Sequence, residues 1–311
     1  MDAVTTTPGE RGPLTSFPAP STTTLCGRPV ADDRALVMAI VNRTPDSFYD
    51  RGASFDDDAA RRRVEQVIAE GADIVDIGGV KAGPGESVAA DAEAERVVGF
   101  IAWVRAQFPD VLISVDTWRA AVADLACDAG ADLINDTWAG ADQDLVGVAA
   151  RRGAGLVCSH TGGATPRTRP HRVRYGDDAD GVVDAVVAEL TEAARKAEAA
   201  GVRADGIIVD PTHDFGKNTH HGLALLRRTD RLVATGRPVL MALSNKDFVG
   251  ETLGVELDER LDGTLAATAL AAEHGARIFR AHEVAATRRV VEMVAAITGR
   301  RGPVRAVRGL A

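Results

Sequence analysis

The sequence has few cysteines, few aromatic residues and no excess of positive charge. Its 311 residues include three cysteines, 4% aromatic side chains and 36 basic against 45 acidic residues, which gives a net charge of -9. So few scattered thiols predict neither a disulfide framework nor a paired-cysteine metal site, and they suit a reducing cytoplasm. The acidic balance disfavours binding to a phosphate backbone, so no nucleic-acid partner is expected.

A long apolar run is also lacking. No stretch approaches the roughly 18 residues of a membrane span, and the N-terminus lacks the charged and then apolar segments of a secretory signal. We therefore expect no membrane partner and predict a cytoplasmic location. A content of 45% hydrophobic and 26% charged residues is typical of a globular chain with a packed core.

Composition divides the chain into three regions. Residues 1–30 are rich in Thr, Pro and Ser and predict a disordered tail, because their sparse apolar residues do not offset the entropy of ordering. Residues 31–298 form the predicted folded body. Residues 299–311 are basic and interrupted by Gly and Pro, which predicts a C-terminal tail that is either frayed or laid over the body.

Within the body, short β-branched segments alternate with longer amphipathic segments. The eight predicted strands span residues 36–42, 73–78, 111–116, 132–136, 155–160, 206–211, 238–243 and 277–282. Apolar residues at spacings of three and four predict eight helices, near residues 57–70, 88–107, 118–129, 142–152, 178–200, 219–232, 258–274 and 284–298. Fully apolar strands joined by helical crossovers fit an open doubly wound sheet or a closed barrel. Eight units in about 265 residues favour an α/β fold of the (β/α)8 TIM barrel type.

Polar residues stand at the ends of all eight predicted strands, where TIM barrels place their chemistry. One such residue is as readily explained as a helix cap, but eight strands share the pattern: Asn42, Asp76, Asp116, Asn135, Asp136, His160, Asp210, Ser244, Lys246, Arg280 and His282. Their convergence predicts a polar pocket for a ligand with donors, acceptors and an anionic part. Carboxylates and an Asn suit a flat heterocycle with several N–H donors. Rossmann and Walker A motifs are absent, so no nucleotide cofactor is expected.

Longer motifs follow one another in order along the body. They are MAIVNRTPDSFYDRG (38–52), GADIVDIGG (71–79), ISVDTWRAAVA (113–123), AGADLINDTWAG (129–140), VDPTHDFGK (209–217), PVLMALSNKDFVGETLG (238–254), RLDGTLAATALAAEHGA (260–276) and RIFRAHEV (277–284). On these motifs the chain resembles the dihydropteroate synthase family, the pterin-binding barrels of folate biosynthesis. The resemblance covers nearly the whole body.

The resemblance implies a reaction and a set of ligands. Family members join the methylene of 6-hydroxymethyl-7,8-dihydropterin diphosphate to the amine of p-aminobenzoate, and Mg²⁺ assists departure of the diphosphate. Carried over by position, the implied pterin-binding residues are Asp116, Asn135, Asp210, Lys246 and Arg280. Arg280 and His282 are expected to bind the anion and Asn42 the metal. In an active enzyme, Lys246, Arg280 and His282 are the implied catalytic residues, because cations stabilise the leaving group. A homodimer is implied by resemblance only.

The chain departs from the family pattern in three loops. After the second predicted strand, E-S-T-R-P-G becomes VKAGPG, so that Ala82 and Gly83 stand at the Thr and Arg positions. After the seventh strand, S-R-K becomes S-N-K with Asn245 in the middle, and after the sixth Thr212 and Asp214 replace two glycines. Loss of one anion-binding arginine removes about 1.5–3 kcal/mol of charge-assisted binding.

These departures favour a homologue that keeps most of the pterin pocket but has lost its diphosphate and p-aminobenzoate residues, and is inactive or very weak as a synthase. Within the family it resembles the divergent second paralogue, which shares VKAGPG and SNK and is regarded as inactive. The alternative is an active synthase in which Lys81 and Arg43 replace the lost residues. A non-catalytic pterin- or partner-binding protein and a methyltetrahydrofolate methyltransferase are further hypotheses, the last disfavoured by TPDSF and FGK.

Three histidines near Asp214 raise the hypothesis of a metal site. His213, His220 and His221 lack the spacing of metal ligands, and no paired cysteine supports them. We therefore interpret them as solvated loop residues.

Overall fold

The structure is a computed structural model that describes residues 21–44, 56–168, 174–176 and 180–308. Its strands are a short hairpin, β1 (Thr22–Leu25) and β2 (Arg28–Ala31), followed by β3 (Leu36–Asn42), β4 (Ile74–Gly78), β5 (Leu112–Asp116), β6 (Leu133–Asp136), β7 (Gly155–Ser159), β8 (Ile207–Asp210), β9 (Leu240–Met241) and β10 (Ile278–Ala281). All eight predicted strands are present as β3 to β10, and they form one parallel sheet.

The sheet closes into a barrel. Strand β10 pairs with both β3 and β9, and a parallel bridge between Val209 and Val239 links β8 to the segment leading into β9. Successive strands are neighbours around the whole ring. The prediction of a (β/α)8 TIM barrel is therefore confirmed.

The described residues form ten α-helices, against eight predicted. They are α1 (Asp57–Ala69), α2 (Ala90–Gln107), α3 (Ala120–Asp128), α4 (Leu145–Arg152), α5 (Gly181–Ala199), α6 (Thr219–Arg227), α7 (Thr229–Val233), α8 (Asp247–Leu253), α9 (Leu261–Glu273) and α10 (Val284–Ile297). The predicted helix over 219–232 is divided at Arg228, which has φ -117° and ψ 32°. Helix α8 is too short for apolar spacing to reveal it. No helix of the described ranges is long and apolar enough to cross a membrane.

The core has two layers, as strand alternation requires. Along β3, Leu36 and Met38 point into the barrel, whereas Val37, Ala39 and Val41 pack against the helices. The interior layer continues with one side chain from each of the other strands, namely Ile74, Leu112, Leu133, Val157, Ile208, Leu240 and Ile278. The lower barrel is thus filled with side chains, which leaves the C-terminal strand ends for a site.

The N-terminal hairpin overturns part of the disordered-tail prediction. Residues 1–20 lie outside the described residues, but β1 and β2 are ordered, with Leu25, Cys26 and Val30 buried in the interior layer. Asp205 anchors the turn by accepting the Gly27 N–H at 2.9 Å. Local composition predicts disorder because the burial that stabilises this hairpin is supplied entirely by the barrel.

The C-terminal segment begins as an arm on the body. Arg301 donates to Glu292 at 3.0 Å and lies 3.7 Å from Asp33. Further along, Val304 is 90% exposed, and residues 309–311 lie outside the described residues.

Candidate functional site

The C-terminal ends of the barrel strands surround a cavity of about 570 Å³. The predicted site residues that line it are Asn42, Asp116, Lys246, Arg280 and His282. Asn135 and Asp210 are buried at neighbouring strand ends and do not contribute to the lining. The structure therefore brings the seven predicted residues to one end of the barrel, with five of them facing the cavity.

Arg280 is the centre of this arrangement. From β10 it donates through Nε to Asp76 Oδ2 at 2.6 Å and through Nη2 to Asp116 Oδ2 at 2.7 Å. Asn135 donates to the same Asp76 oxygen at 3.1 Å. A ligand that enters from the cavity consequently meets Arg280 before it meets Asn135.

Asp76 belongs to the polar residues at predicted strand ends, but the sequence predicts no ligand-binding role for it. It stands two residues before the end of β4, is fully buried, and carries Oδ1 without a hydrogen bond in the described part of the chain. A buried carboxylate with an open acceptor is costly unless it is paired, and the Arg280 guanidinium provides that pairing. Its position near a strand end is the available sequence signal, but its arginine partner lies 204 residues away.

Burial shifts two carboxylates at this end of the barrel, Asp116 and Asp210, toward the protonated form. It raises the pKa of Asp116 to about 7, against the opposing effect of the Arg280 charge. Burial likewise raises the pKa of Asp210 to about 6, although its Oδ1 accepts the Thr212 N–H at 2.6 Å. These groups change between acceptor-only carboxylates and donating acids within a narrow pH range.

Lys246 stands over an aromatic ring at the cavity wall. Its Nζ lies 4.6 Å from the centre of the Phe215 ring. Trp138 packs edge-on against the same Phe215 ring, with 5.0 Å between ring centres. Burial lowers the pKa of Lys246, and the nearby Arg280 charge acts in the same direction while Asp214 opposes it. Trp138 thus contributes to the site by supporting Phe215 from outside the cavity lining.

The loop after β8 keeps glycine-like backbone at two positions that carry side chains. Thr212 has φ 49° and Asp214 has φ 69°, in the left-handed region that glycine favours. Thr212 Oγ1 also accepts the His160 N–H at 3.4 Å, which joins this loop to the end of β7. Thr212 and Asp214 thus keep the backbone conformation of the glycines that they replace. A side chain in that conformation costs on the order of 1–3 kcal/mol of stability per residue.

Lys217 holds the same loop in place. Its Nζ donates to three carbonyl oxygens, those of His160 at 2.8 Å, Phe215 at 2.9 Å and Thr212 at 3.3 Å. Burial lowers the pKa of this lysine to about 7. Although Lys217 borders the cavity, its donors are used by the protein backbone.

The interpretation of three solvated histidines is wrong for two of them. His213 is fully buried and its ring packs against Phe248 at 5.5 Å between centres. His221 Nδ1 accepts the Asn218 N–H in a capping box at the start of α6. Only His220 of the three is exposed.

A strap from the loop after β7 crosses the altered loop after β4. Arg167 donates to the Gly83 carbonyl at 3.3 Å and also to the Glu86 carbonyl. Lys81, Ala82 and Gly83 border the cavity. The segment that has lost its arginine is therefore tied down by main-chain contacts to an arginine from elsewhere.

The two proposed replacements for the lost residues occupy different places. Lys81 lines the cavity. Arg43 instead lies outside the cavity lining, with its guanidinium 4.8 Å from the Phe100 ring centre and bonded to Asp57. Arg43 fastens the end of β3 to α1 and α2, so it does not replace an anion-binding arginine.

Asn245, at the other altered position, is buried and turned toward a carboxylate. Its Nδ2 donates to Glu283 Oε1 at 2.9 Å, and Ser244 Oγ donates to Glu283 Oε2 at 3.1 Å. Asn245 itself has φ 56°. The position where the family has a cation thus carries an amide engaged with Glu283.

The residues near Asn42 offer oxygen ligands that suit Mg²⁺ only in part. Asn42 ends β3, and it lines the cavity together with Asp116. Mg²⁺ is commonly held by one or two protein oxygens together with substrate phosphates and water. Among the described residues no group of three His, Cys, Asp or Glu side chains has a metal-binding arrangement. The donor set fits an ion that arrives with a diphosphate.

Comparisons with known proteins agree with this geometry. A family model described as "Pterin binding enzyme" matches residues 38–282. The chain is 69% identical over 287 residues, 92% of its length and 99% of the relative, to "Inactive dihydropteroate synthase 2" of Mycobacterium leprae. It matches the Mycobacterium tuberculosis Rv1207 structure at 52% identity and a TM-score of 0.71, over 91% of this chain and 99% of that one.

A solved synthase is less similar in sequence but matches the same fold. The Coxiella burnetii dihydropteroate synthase in complex with pteroic acid matches with a TM-score of 0.79 but 32% identity, over 91% of this chain and 98% of that one. The predicted resemblance to the divergent, inactive paralogue is confirmed. The chain therefore belongs to the pterin-binding enzyme family, as a dihydropteroate synthase homologue of the kind represented by the inactive type 2 proteins.

Proposed function

We propose that this protein binds a pterin at the floor of its barrel and has little or no dihydropteroate synthase activity. The observation that carries the proposal is the contrast between two parts of one cavity. Asp116, Lys246 and Arg280 are present on the floor side, whereas Gly83 and Asn245 stand where the family has arginines. The residues that would bind the pterin are present, whereas two of the residues that would bind the anions are missing.

The pterin ring would be held by hydrogen bonds from its N–H groups to buried acceptors. Asp116, Asn135 and Asp210 supply those acceptors, and Lys246 donates to a ring carbonyl or nitrogen. Because Arg280 is bound to Asp76 and Asp116, ligand entry requires its guanidinium to turn aside. A planar guanidinium that leaves a carboxylate can then stack on the ring.

The anion side retains three elements of the family pattern. Arg280 and His282 would face a diphosphate, and Asn42 would contact Mg²⁺ bound to it. The ion would neutralise negative charge on the leaving group. Without the two arginines, a diphosphate loses charge-assisted contacts of about 1.5–3 kcal/mol each, which is the physical basis for weak or absent turnover.

An active synthase remains the second candidate because Lys81 lines the cavity. A lysine there would supply one positive charge to a diphosphate. It would not reproduce the two-pronged geometry of an arginine, so turnover supported by Lys81 alone should be far below that of a complete site.

The partner and location proposals follow from family and composition. We propose a homodimer formed through α9 and α10, which pack together and expose Leu270, Met293 and Ile297 at 62%, 60% and 71%. Large apolar side chains left exposed on a surface are often found at protein interfaces. We further propose a cytoplasmic protein without a nucleic-acid partner, in keeping with its net charge of -9.

Two measurements test the proposed function. Calorimetry with 6-hydroxymethylpterin should show binding, and a diphosphate-release assay with the dihydropterin diphosphate, p-aminobenzoate and Mg²⁺ should show no turnover above background. Turnover abolished by Lys81→Ala would favour the active alternative. Absence of pterin binding would contradict the proposal outright.

A further inference from the structure

Three carboxylates line one side of the cavity, and we call Asp214, Asp247 and Glu251 the acidic flank. Asp214 comes from the loop after β8, whereas Asp247 and Glu251 lie one turn apart on α8 and therefore share a face. Asn245, where the family has a cation, borders the same part of the cavity. The charge on this side is thus opposite to that which would attract a carboxylate.

Asp214 already occupies a backbone donor that borders the cavity. Its Oδ2 accepts the Asp247 N–H at 2.6 Å, from a backbone position with φ 69° that resembles a family glycine. Because the Asp214 carboxylate already accepts from the Asp247 N–H, this N–H has no hydrogen bond left to offer a ligand. An incoming carboxylate would meet a like charge there instead of a free donor.

The cations near the acidic flank already have partners. Lys217, whose charge interacts with that of Asp214, donates to three backbone carbonyl oxygens. Arg260 pairs with Asp247 at 3.0 Å, and Lys246 stands over the Phe215 ring at 4.6 Å. Glu251 accepts a hydrogen bond from a neutral hydroxyl, that of Thr219. If Lys246 donates to a pterin, all three of these cations are engaged elsewhere and the carboxylate of a second ligand finds no partner among them.

We propose that the acidic flank determines the specificity for the second ligand, by selecting against a carboxylate and admitting an uncharged or cationic aryl amine. The inference rests on the proposed pterin function, because the second ligand would lie beside the pterin. Like charges brought together in a partly enclosed site are repelled strongly. Rejection of one ligand by a repulsive group is an established route to specificity.

The test compares 4-aminobenzoate with 4-aminobenzamide, which share a ring and an amine and differ in charge. Both are titrated by calorimetry into the full chain, with and without saturating 6-hydroxymethylpterin. The wild-type protein should bind the amide about tenfold or more tightly than the acid. In Asp214→Asn/Asp247→Asn, which keeps side-chain size and hydrogen-bond acceptors, this preference should fall by about tenfold.

The control is Asp258→Asn/Glu259→Gln, which removes the same net charge at two exposed positions outside the cavity lining. It should retain the wild-type preference. Glu251→Gln should shift the preference partway, and it provides a second variant if the double substitution impairs folding. Equal binding of acid and amide by the wild-type protein, an unchanged preference in both variants, or no binding of either ligand overturns the inference. Pterin binding, recorded separately, decides the proposed function.

Discussion

Arg280 Nη2 donates to Asp116 Oδ2 at 2.7 Å, so two residues predicted to hold the same ligand are bound to each other. They lie on β10 and β5, and their bond therefore crosses the open end of the barrel. A pterin that donates an N–H to Asp116 competes with the guanidinium for one carboxylate. Ligand binding is consequently an exchange of partners, in which Asp76 can keep Arg280 charged and paired.

Replacement of Asp116 by Asn should weaken pterin binding by roughly thirtyfold or more, because an ionised acceptor is exchanged for a neutral one. The melting temperature should change little, since Arg280 retains its bond to Asp76. Calorimetry with 6-hydroxymethylpterin measures the first effect and thermal unfolding the second. Asp128→Asn, an exposed substitution, serves as control. Unchanged affinity in Asp116→Asn would show that the ligand does not use this carboxylate.

Pterin affinity should rise as the pH increases from about 5 to 8. Burial raises the pKa of Asp116 to about 7 and that of Asp210 to about 6. Below these values each carboxyl is protonated and no longer accepts a ligand N–H on both oxygens, so affinity is lost as the pH falls. Calorimetry across the range measures this trend. Asp210→Asn should remove the lower part of the dependence, whereas a dependence identical to wild type would show that Asp210 does not contribute to it.

The strand pattern and the positions of most site residues could be predicted from local sequence. The strands are apolar on both faces, and their polar last residues mark the barrel's open end wherever a parallel barrel forms. Asp116, Asn135 and Asp210 were identifiable on that basis. The sequence also shows that Thr212 and Asp214 replace two family glycines. A side chain at such a position must either strain the backbone or redirect it.

Pairings between distant residues could not be predicted in the same way. The choice of Asp76 as a partner for Arg280 depends on the barrel bringing β4 and β10 to the same rim. The Arg43 side chain points away from the cavity because its guanidinium packs against the Phe100 ring of α2. The hairpin β1–β2 is ordered by burial against the barrel interior and by the hydrogen bond from Gly27 to the distant Asp205.

Removal of the Arg167 side chain should loosen the loop after β4. Arg167→Ala deletes the hydrogen bonds to the Gly83 and Glu86 carbonyls, and exposed loops with few contacts open readily. Amide hydrogen exchange in residues 80–88 should therefore accelerate, while exchange in the barrel strands should stay unchanged. Arg195→Ala, at an exposed site on α5, provides the control. Equal exchange in both variants would mean that the strap does not hold this loop.

Lys217→Met should destabilise the fold by about 2–4 kcal/mol, because three carbonyl oxygens lose a charged donor while the methylene volume is kept. Urea unfolding at neutral pH measures the change. Lys196→Met replaces an exposed lysine on α5 and should cost far less. A loss below about 1 kcal/mol in Lys217→Met would indicate that water replaces the ammonium at these carbonyls.

His213 should make the fold sensitive to mild acid. Burial lowers the pKa of His213 from an ordinary 6.5 to about 3, and the Lys217 charge acts in the same direction. The unfolded chain thus takes up a proton below pH 6.5 that the native protein excludes, and the associated stability is lost as the pH falls toward 3. In His213→Phe, which can keep the ring contact with Phe248, this loss is absent.

The difference in unfolding free energy between wild type and variant should therefore move in the variant's favour by about 1.4 kcal/mol per pH unit below pH 6.5. Urea titrations at pH 7.5, 6.0 and 5.0 give that slope directly, and using a difference cancels the opposite contribution of carboxyls such as Asp116, whose raised pKa acts in both proteins alike. His220→Phe alters an exposed ring and should show no comparable slope. If His213→Phe and wild type lose stability in parallel, then the His213 ring is protonated inside the native fold.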